Sequence, residues 1–306
     1  MKIAKMKRLM VDSMKKYLSL LCVLALCGCI TTDDPPVIDI PDIPVATNTI
    51  PDGVVEAPPA LKQGETLAGY GRVNAWAVDK STLVEDIRAC AANGVAIYHI
   101  EFLSCSRYSP YGNEEAKRKT EECYEAAITE CRKNGMWLFV SFANSNTGSG
   151  KYGDKGVPLS RMGELIDWGI DLIQKHGKEN VIMQPMGETS GSNGSIEDKI
   201  RRAFDGWYLV NNRGSRPNSK PSWAKWNAWH PWKTSDNVPE DQIIVSDTGM
   251  IIQELCYGLE GKGKPDGART WAKKLKDKGV PAVVFYHFKY AEHDPDTIRA
   301  MGEGVK

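Results

Sequence analysis

The strongest constraint on the fold of this chain is a recurring unit, in which a helical stretch closes in a glycine and a nearly all-apolar run follows. It reads ANGVAIYHI from residue 92, KNGMWLFVSF from 133, KHGKENVIMQP from 175 and DKGVPAVVFYHF from 277. A glycine just past a helix end is the usual C-cap, and a continuous apolar run is typical of a strand in a parallel sheet. The chain is therefore predicted to alternate strands and helices around a parallel sheet.

Eight segments are candidates for the strands of such a sheet. About 240 residues of alternating strands and helices suit the α/β class and a single (β/α)8 TIM barrel. An open doubly wound sheet is the competing fold, but the sequence has no P-loop to support a nucleotide role. The predicted strands are Gly69–Trp76, Val95–Leu103, Met136–Phe142, Val181–Met186, Trp207–Asn211, Trp226–Trp229, Ile243–Ser246 and Val280–Phe288.

The amino-terminal segment has the layout of a secretory signal. Residues 1–28 hold six Lys/Arg and one Asp, and an apolar stretch runs from Tyr17 to Leu26. That stretch is too short for a transmembrane helix, which needs roughly 20 residues. The segment resembles a bacterial lipoprotein signal, with the lipobox Leu26-Cys27-Gly28-Cys29. The resemblance implies that Cys29 is lipidated and that the protein is anchored in the bacterial cell envelope, at the outer membrane or cell surface.

The remaining chain divides into a tether and one domain. Residues 29–60 are rich in Pro and Asp and have no helix or strand period, which predicts a semi-extended tether. Residues 61–306 are predicted to form the barrel, as a monomer. Beyond residue 28 the chain holds 33 basic and 38 acidic residues. Without a basic stripe, nucleic acid is not an expected partner.

Five cysteines remain beyond the signal and the lipidation site. The number is odd and no CxxC occurs, so neither a disulfide framework nor a zinc ribbon is predicted, and buried free thiols are expected. The HIE sequence at 99–101 lacks an accompanying H-x-H or HExxH, so no metal and no cofactor is expected. The five cysteines are Cys90, Cys105, Cys123, Cys131 and Cys256.

Polar residues cluster at the predicted carboxyl ends of the strands, where the βα loops of a barrel carry its chemistry. Buried charges are costly unless they are paired, so such a cluster is interpreted as functional. The absence of a GxSxG elbow argues against an α/β-hydrolase. The candidate substrate-binding residues are Arg72, Asn74, Trp76, His99, Asn144, Asn211, Trp229, His230, Trp232, Tyr286 and His287.

Three carboxylates are candidates for catalysis. Glu188 follows the fourth predicted strand in VIMQPMGETSG and is the candidate general acid/base, with a surface carboxylate as the alternative. Asp247 in SDTG is the candidate second carboxylate, although an Asp there also suits a turn cap. Glu101 is its rival, either as the second carboxylate or as a ligand for substrate hydroxyl groups.

Residues from about 65 to 306 resemble the glycoside hydrolase barrels of the clan with an acid/base Glu after strand four and a nucleophile after strand seven. The resemblance implies that Glu188 is the acid/base and that Asp247 is the nucleophile. The clan usually has Asn before its acid/base, where this chain has Gly187, and its nucleophile is usually Glu. The implied activity is hydrolysis of an oligo- or polysaccharide. The alternative is a noncatalytic glycan-binding lipoprotein on the same scaffold.

A row of tryptophans, WAKWNAWHPW at residues 223–232, places four indoles three residues apart. Aromatic faces with a polar edge suit sugar rings. About half of the row is expected to be buried. The exposed remainder is predicted to form sugar subsites together with Trp76, Tyr108, Tyr111 and Tyr152.

Overall fold

A computed structural model describes residues 57–72, 79–101, 114–142, 162–185, 194–212, 220–229, 250–255, 265–287 and 293–306. These residues belong to one compact unit that spans residues 50–306. The predicted signal and most of the predicted tether lie outside the described residues. So do the following predicted site residues: Cys29, Asn74, Trp76, Tyr108, Tyr111, Asn144, Tyr152, Glu188, His230, Trp232 and Asp247.

Eight parallel strands form the sheet, and each pairs with the next along the chain. β8 also pairs with β1, so the hydrogen-bonded order closes on itself. The predicted α/β class with a parallel sheet is therefore confirmed. The strands are β1 (Leu67–Arg72), β2 (Ile97–Glu101), β3 (Trp137–Ser141), β4 (Val181–Gln184), β5 (Tyr208–Asn212), β6 (Trp226–Trp229), β7 (Met250–Leu255) and β8 (Ala282–His287).

Among the described residues, a helix follows β1, β2, β3, β4, β7 and β8. The helices are α1 (Lys80–Ala92), α2 (Glu114–Lys133), α3 (Met162–Lys175), α4 (Gly194–Ala203), α5 (Pro265–Asp277) and α6 (Pro295–Val305). Their ends carry the expected local signals. In α6, Asp294 caps the first turn by accepting a 3.1 Å hydrogen bond from the backbone N–H of Thr297, and Pro295 occupies the first position.

The recurring unit of the sequence is confirmed by backbone geometry. The glycines of the four units adopt positive φ angles between 60° and 79°, the left-handed region that ends a helix. An apolar strand then begins within about five residues of each. The glycines are Gly94, Gly135, Gly177 and Gly279.

The seventh strand is not where the sequence predicted it. β7 is Met250–Leu255, whereas the predicted strand Ile243–Ser246 lies outside the described residues. Asp247 therefore precedes β7 by three residues instead of following the strand. The prediction was wrong because two short apolar runs stand close together here, and periodicity alone cannot rank them.

Alternate residues of each strand face two separate apolar layers. The inner layer, at the centre of the closed sheet, contains Ile97, Phe139, Ile182, Val210, Ala228, Ile251, Ala282 and Val284. The outer layer, between sheet and helices, contains strand residues such as Tyr70, Tyr98, Leu138, Val140, Met183, Val283 and Phe285. The buried free thiols expected from the sequence are confirmed at three positions, Cys90, Cys123 and Cys131.

β1 presents two glycines to the inner layer. A Cβ on Gly69 would lie 2.8 Å from Cγ2 of Val284, and a Cβ on Gly71 would lie 2.7 Å from Cβ of His99. Side chains of the neighbouring strands therefore pack directly against the backbone of β1 at these two glycines. Only glycine permits this approach.

The amino-terminal end of the sheet is closed by the chain that enters it. Leu61 is buried in the inner layer, and the Trp137 indole donates a 2.8 Å hydrogen bond to the carbonyl of Pro59. The backbone N–H of Gly64 donates to the carbonyl of Gly279 at 3.1 Å. Pro59 and Leu61, on either side of the predicted boundary between tether and domain, thus both contact this end of the sheet.

Candidate functional site

Three buried polar side chains meet on the inner face at the carboxyl ends of neighbouring strands. His99 lies on β2, Ser141 on β3 and Gln184 on β4, and each is at most 3% exposed. The Nε2 atom of His99 is 2.8 Å from the Ser141 Oγ, and that hydroxyl donates to the Gln184 Oε1. Because Ser141 donates its hydroxyl proton to Gln184, its oxygen accepts a hydrogen bond from His99. The imidazole proton is therefore on Nε2. We call these three residues the polar cluster.

Glu101, the last residue of β2, lies beside the polar cluster. It pairs in register with Ser141, which in turn pairs with Gln184, so all three lie at the same level of the sheet. Glu101 is two residues beyond His99 and therefore shares its face of the strand. Unlike the cluster it is partly exposed. Of the three predicted catalytic residues, it is the one within the described part of the chain.

The polar cluster lies directly on the apolar inner layer. The rings of His99 and Phe139 are 4.7 Å apart at an angle of 47°. Below this level the inner face is apolar as far as Leu61. The polar cluster therefore lies at the carboxyl ends of the strands, which is where barrels carry their chemistry.

Arg72 lies in the outer layer. Its Nε and Nη2 atoms both pair with the Asp86 carboxylate on α1, the latter at 3.2 Å. Tyr98 donates to the same carboxylate at 3.1 Å, and Nδ1 of His293 is 2.7 Å from it. Burial is the largest single influence on the pKa of Arg72 and lowers it, but the hydrogen bond to Asp86 and the nearby negative charge of that carboxylate, together with Tyr98 and Tyr70, raise the pKa overall. Arg72 therefore ties β1 to α1 and to the residues before α6.

Two other predicted binding residues also lie in the outer layer. The Asn211 side chain donates a 2.9 Å hydrogen bond to Oδ1 of Asn227 on the neighbouring strand. Trp229 is buried in the outer apolar layer. Arg72, Asn211 and Trp229, which the sequence predicted to bind substrate, thus fill or pair within the layer under the helices.

The three tryptophans of the row that the structure describes do not form a surface at the carboxyl ends of the strands. Trp226 is the first residue of β6, at the opposite end of the sheet, and its indole donates to the Tyr208 hydroxyl at 2.6 Å. Trp223 is partly buried against the outer layer, with the Arg201 guanidinium 5.9 Å from its ring centre. Within the described residues, the row therefore supplies packing. Trp232 lies outside them.

Tyr286 and His287 are the last two residues of β8. They pair in register with Gly71 and Arg72 of β1. Both residues therefore lie at the carboxyl end of the closed sheet, next to β1.

β7 contains a β-bulge near its carboxyl end, which the sequence analysis missed. β7 advances by three residues between Ile252 and Leu255 while β8 advances by two, so Gln253 and Glu254 share one partner position. The signal was present in the sequence, because this polar pair interrupts the apolar residues of the strand MIIQEL. Ser141 is the other functional candidate that was missed, and its signal was a polar residue at the end of the apolar strand WLFVS.

No group of three or more His, Cys, Asp or Glu side chains placed to hold a metal ion occurs in the described ranges. Nor does any helix within those ranges have the length and apolar character needed to cross a membrane.

The groups at the carboxyl ends are hydrogen-bond donors and acceptors with one partly exposed carboxylate. Such a set suits a ligand that is rich in hydroxyl groups.

No protein-family model matches the chain, and no curated protein sequence does. Solved structures do match. An endo-1,4-beta-mannanase from Rhizomucor miehei has a TM-score of 0.52 and 12% identity, over 78% of this chain and 93% of that chain. A family 30 subfamily 8 xylanase from Clostridium acetobutylicum has a TM-score of 0.50 and 11% identity, over 81% and 72%.

A further structure, described as a glycoside hydrolase, has a TM-score of 0.50 and 10% identity. The match covers 76% of this chain and 65% of that one, so this chain spans less than two thirds of its length. At these identities the similarity shows the fold, which is that of glycoside hydrolase barrels.

Proposed function

We propose that this chain is a glycoside hydrolase that cleaves an oligo- or polysaccharide with two carboxylates at the carboxyl ends of a (β/α)8 barrel. The observation that carries the proposal is the polar cluster with Glu101, set at the carboxyl ends of β2, β3 and β4 above an apolar interior. The fold shared with solved glycoside hydrolases supports the same conclusion.

Glu188 is the proposed general acid/base. It follows β4 by four residues, and β4 ends in Gln184, a member of the polar cluster. A carboxyl group at this position would reach the same end of the barrel as Glu101. In glycoside cleavage this group protonates the leaving oxygen and then activates water, or acts only as the acid.

Glu254 is the proposed second carboxylate, in place of Asp247. It lies in the bulge at the carboxyl end of β7, next to Leu255, which pairs in register with Phe285 of β8. Bulges are common next to active sites because they redirect a side chain. Glu is also the residue type that the resembled clan uses after strand seven, which Asp247 is not.

The two carboxylates would divide the chemistry of glycoside cleavage between them. One supplies a proton to the leaving group while the other attacks the anomeric carbon or activates a water molecule. A separation of about 5 Å would retain the anomeric configuration, and about 6.5–9.5 Å would invert it. Glu101 and His99 would bind substrate hydroxyl groups beside them.

The test is hydrolysis of a panel of polysaccharides, beginning with β-1,4-mannan and xylan. The release of reducing sugars measures the activity. Glu188→Gln and Glu254→Gln are expected to lose activity by about 10²-fold or more, because each removes a group that acts in the transition state. Asp247→Asn is the matched control and is expected to retain most activity. Circular dichroism checks that each variant is folded.

Two outcomes would contradict the proposal. If Asp247→Asn abolished hydrolysis and Glu254→Gln did not, the second carboxylate would be Asp247. If the wild-type chain bound glycans tightly and cleaved none, the noncatalytic glycan-binding alternative would be correct.

The proposal includes attachment of the protein to the bacterial envelope through lipid on Cys29, with the sequence LCGC as its basis. Metabolic labelling with a radioactive fatty acid in a bacterial host should mark the wild-type chain. Labelling that persisted in Cys29→Ser would contradict this attachment.

A further inference from the structure

A cavity, which we call the basal cavity, lies at the amino-terminal ends of the strands. Its volume is about 490 Å³, within the range of about 300–1,000 Å³ that is usual for small-molecule sites. Trp137 and Tyr208, the first residues of β3 and β5, line it together with Trp207 and Asn180. The polar cluster lies at the other end of the same strands.

The aromatic rings of the basal cavity are held in fixed positions. The rings of Trp137 and Tyr208 are 5.2 Å apart at 47°, and Trp207 packs edge-on against Phe204 at 4.9 Å. The Trp137 N–H is used on the carbonyl of Pro59, and the Tyr208 hydroxyl accepts from Trp226. All three lining rings stay partly exposed. They form preorganised apolar surface rather than side chains that must be ordered by a ligand.

Asn180 adds a hydrogen-bonding group to these rings. It is 7% exposed, and within the described part of the chain its Nδ2 makes no hydrogen bond. Its backbone has a φ of 60°, a conformation that Asn tolerates better than most residues. The β3 strand fixes that backbone, because the N–H of Leu138 donates to the Asn180 carbonyl at 2.8 Å. A buried amide without an acceptor favours a ligand that supplies an oxygen atom.

The rim of the basal cavity carries one group of each charge. Lys178 and Glu179 are both exposed. Arg132 holds this loop by donating to the carbonyl of His176 at 2.6 Å and to that of Glu179 at 3.1 Å. At Gly206, on the far side, a Cβ would meet nothing within 4 Å, so that wall is open. The rim thus offers donors and acceptors without a net charge.

We propose that the basal cavity is a second, noncatalytic carbohydrate-binding site for a neutral oligosaccharide. Flat aromatic surface suits the C–H face of a pyranose ring, and hydroxyl groups match the amide of Asn180 and the mixed rim. Among the described residues the lining holds one carboxylate, Glu179, whereas glycoside cleavage requires a pair. The inference goes beyond the proposed hydrolysis; the count of two sites in its test rests on the proposed catalytic site, whereas the effects of changing Trp207 and Asn180 do not.

The experiment counts binding sites on the full chain carrying Glu188→Gln, which prevents turnover of the probe. Isothermal titration with mannohexaose and with xylohexaose is expected to give two sites per chain for at least one of the two. Adding Asn180→Gly should weaken one site by about 3- to 10-fold, the contribution of one neutral hydrogen bond. Glycine keeps the left-handed backbone, so this variant removes the amide without adding strain.

Two further variants locate that site. Trp207→Ala is expected to remove one of the two sites, whereas Trp168→Ala, a partly buried indole on α3 outside the cavity, should leave both. In protein labelled with 5-fluorotryptophan, the ¹⁹F resonance lost in Trp207→Ala should shift on titration of the probe. A chain that binds but never hydrolyses would refute the proposed enzyme and leave this site intact.

The proposal is overturned by either of two results. One is that every hexasaccharide that binds does so at one site, with an affinity that Trp207→Ala and Asn180→Gly leave unchanged. The other is that the second site appears only when Val54 and Val55 are both changed to Ser. In that case the natural occupant of the basal cavity would be the chain's own segment before Ala57.

Discussion

His99 and Ser141 face each other across β2 and β3, with the imidazole Nε2 2.8 Å from the hydroxyl oxygen. Ser141 uses its own proton on Gln184 of β4, so one hydroxyl links three strands. A buried chain of this kind fixes the orientation of each member, because any rotation breaks a hydrogen bond that water cannot replace. His99 is thus held as a donor toward Ser141.

Ser141→Ala is predicted to lower the free energy of unfolding by about 1–3 kcal/mol, because it leaves His99 and Gln184 without their shared partner in a buried site. Urea denaturation followed by circular dichroism measures the change. The matched control is Ser81→Ala, the same substitution at an exposed position of α1, which should have little effect. Equal stabilities of the two variants would show that the hydrogen-bonded chain contributes nothing.

Asp86→Asn is predicted to destabilise the fold by about 3–5 kcal/mol, because it leaves the Arg72 guanidinium buried without its counter-charge. The double variant Arg72→Met/Asp86→Leu should be less destabilised than Asp86→Asn, since neither charge is then buried. Glu115→Gln removes one partner of an exposed pair with Arg118 and should give no measurable change. A double variant that is destabilised as much as Asp86→Asn, or more, would contradict this interpretation of the ion pair.

Stability is predicted to fall as pH rises above about 9. Burial raises the pKa of Cys123 from 9.0 to about 11, and it also raises the pKa of Cys90 and Cys131. Well below pH 9 each thiol is protonated in both states, so these groups add no pH dependence there. Between 9 and 11 the unfolded chain releases protons that the folded chain keeps, so the free energy of unfolding decreases with pH.

The slope provides the measurement for this prediction. Each fully responding thiol contributes about 1.4 kcal/mol per pH unit, determined from urea denaturation at pH 8, 9 and 10. Cys131→Ala should reduce the slope between pH 9 and 10, whatever it does to stability at pH 8. An unchanged slope in that variant would show that the buried thiol does not retain its proton.

Gly302→Ala and Gly304→Ala are predicted to destabilise the chain by about 1–3 kcal/mol each, through overpacking. A Cβ at Gly302 would overlap the carbonyl oxygen of Asn93, and one at Gly304 would lie 2.6 Å from Cβ of Ala272. Gly163→Ala, in α3, is the control, because nothing lies within 4 Å of its Cβ. It should leave thermal stability unchanged or raise it by up to about 1 kcal/mol.

The parallel sheet was predictable because its signal is repeated along the chain. Each helix that ends in glycine before an apolar run reports the same local geometry, as at Gly94 and Gly135. The strand Trp226–Trp229 was placed at its observed bounds, even though its tryptophan spacing is not that of a strand. Its apolar content and its length of four residues were sufficient to predict this strand.

Whether a polar residue lies on the inner or the outer face of its strand could not be predicted with the same success. A strand buried on both sides has apolar residues at every position, so its sequence does not show which face a terminal polar residue takes. Arg72 was assigned to the site and Ser141 was overlooked for this reason. The bulge in β7 adds a second obstacle, because an extra residue reverses the alternation locally and only the pairing with β8 reveals it.

The bare backbone of β1 has a consequence for how this sequence can change. At Gly69 and Gly71 the space that a methyl group would need is already occupied by Val284, Ile97 and His99 of the flanking strands. A library that contains every substitution along the chain should therefore show that these two glycines are among the positions least tolerant of substitution. A larger residue at either position would require smaller side chains on the flanking strands at the same time.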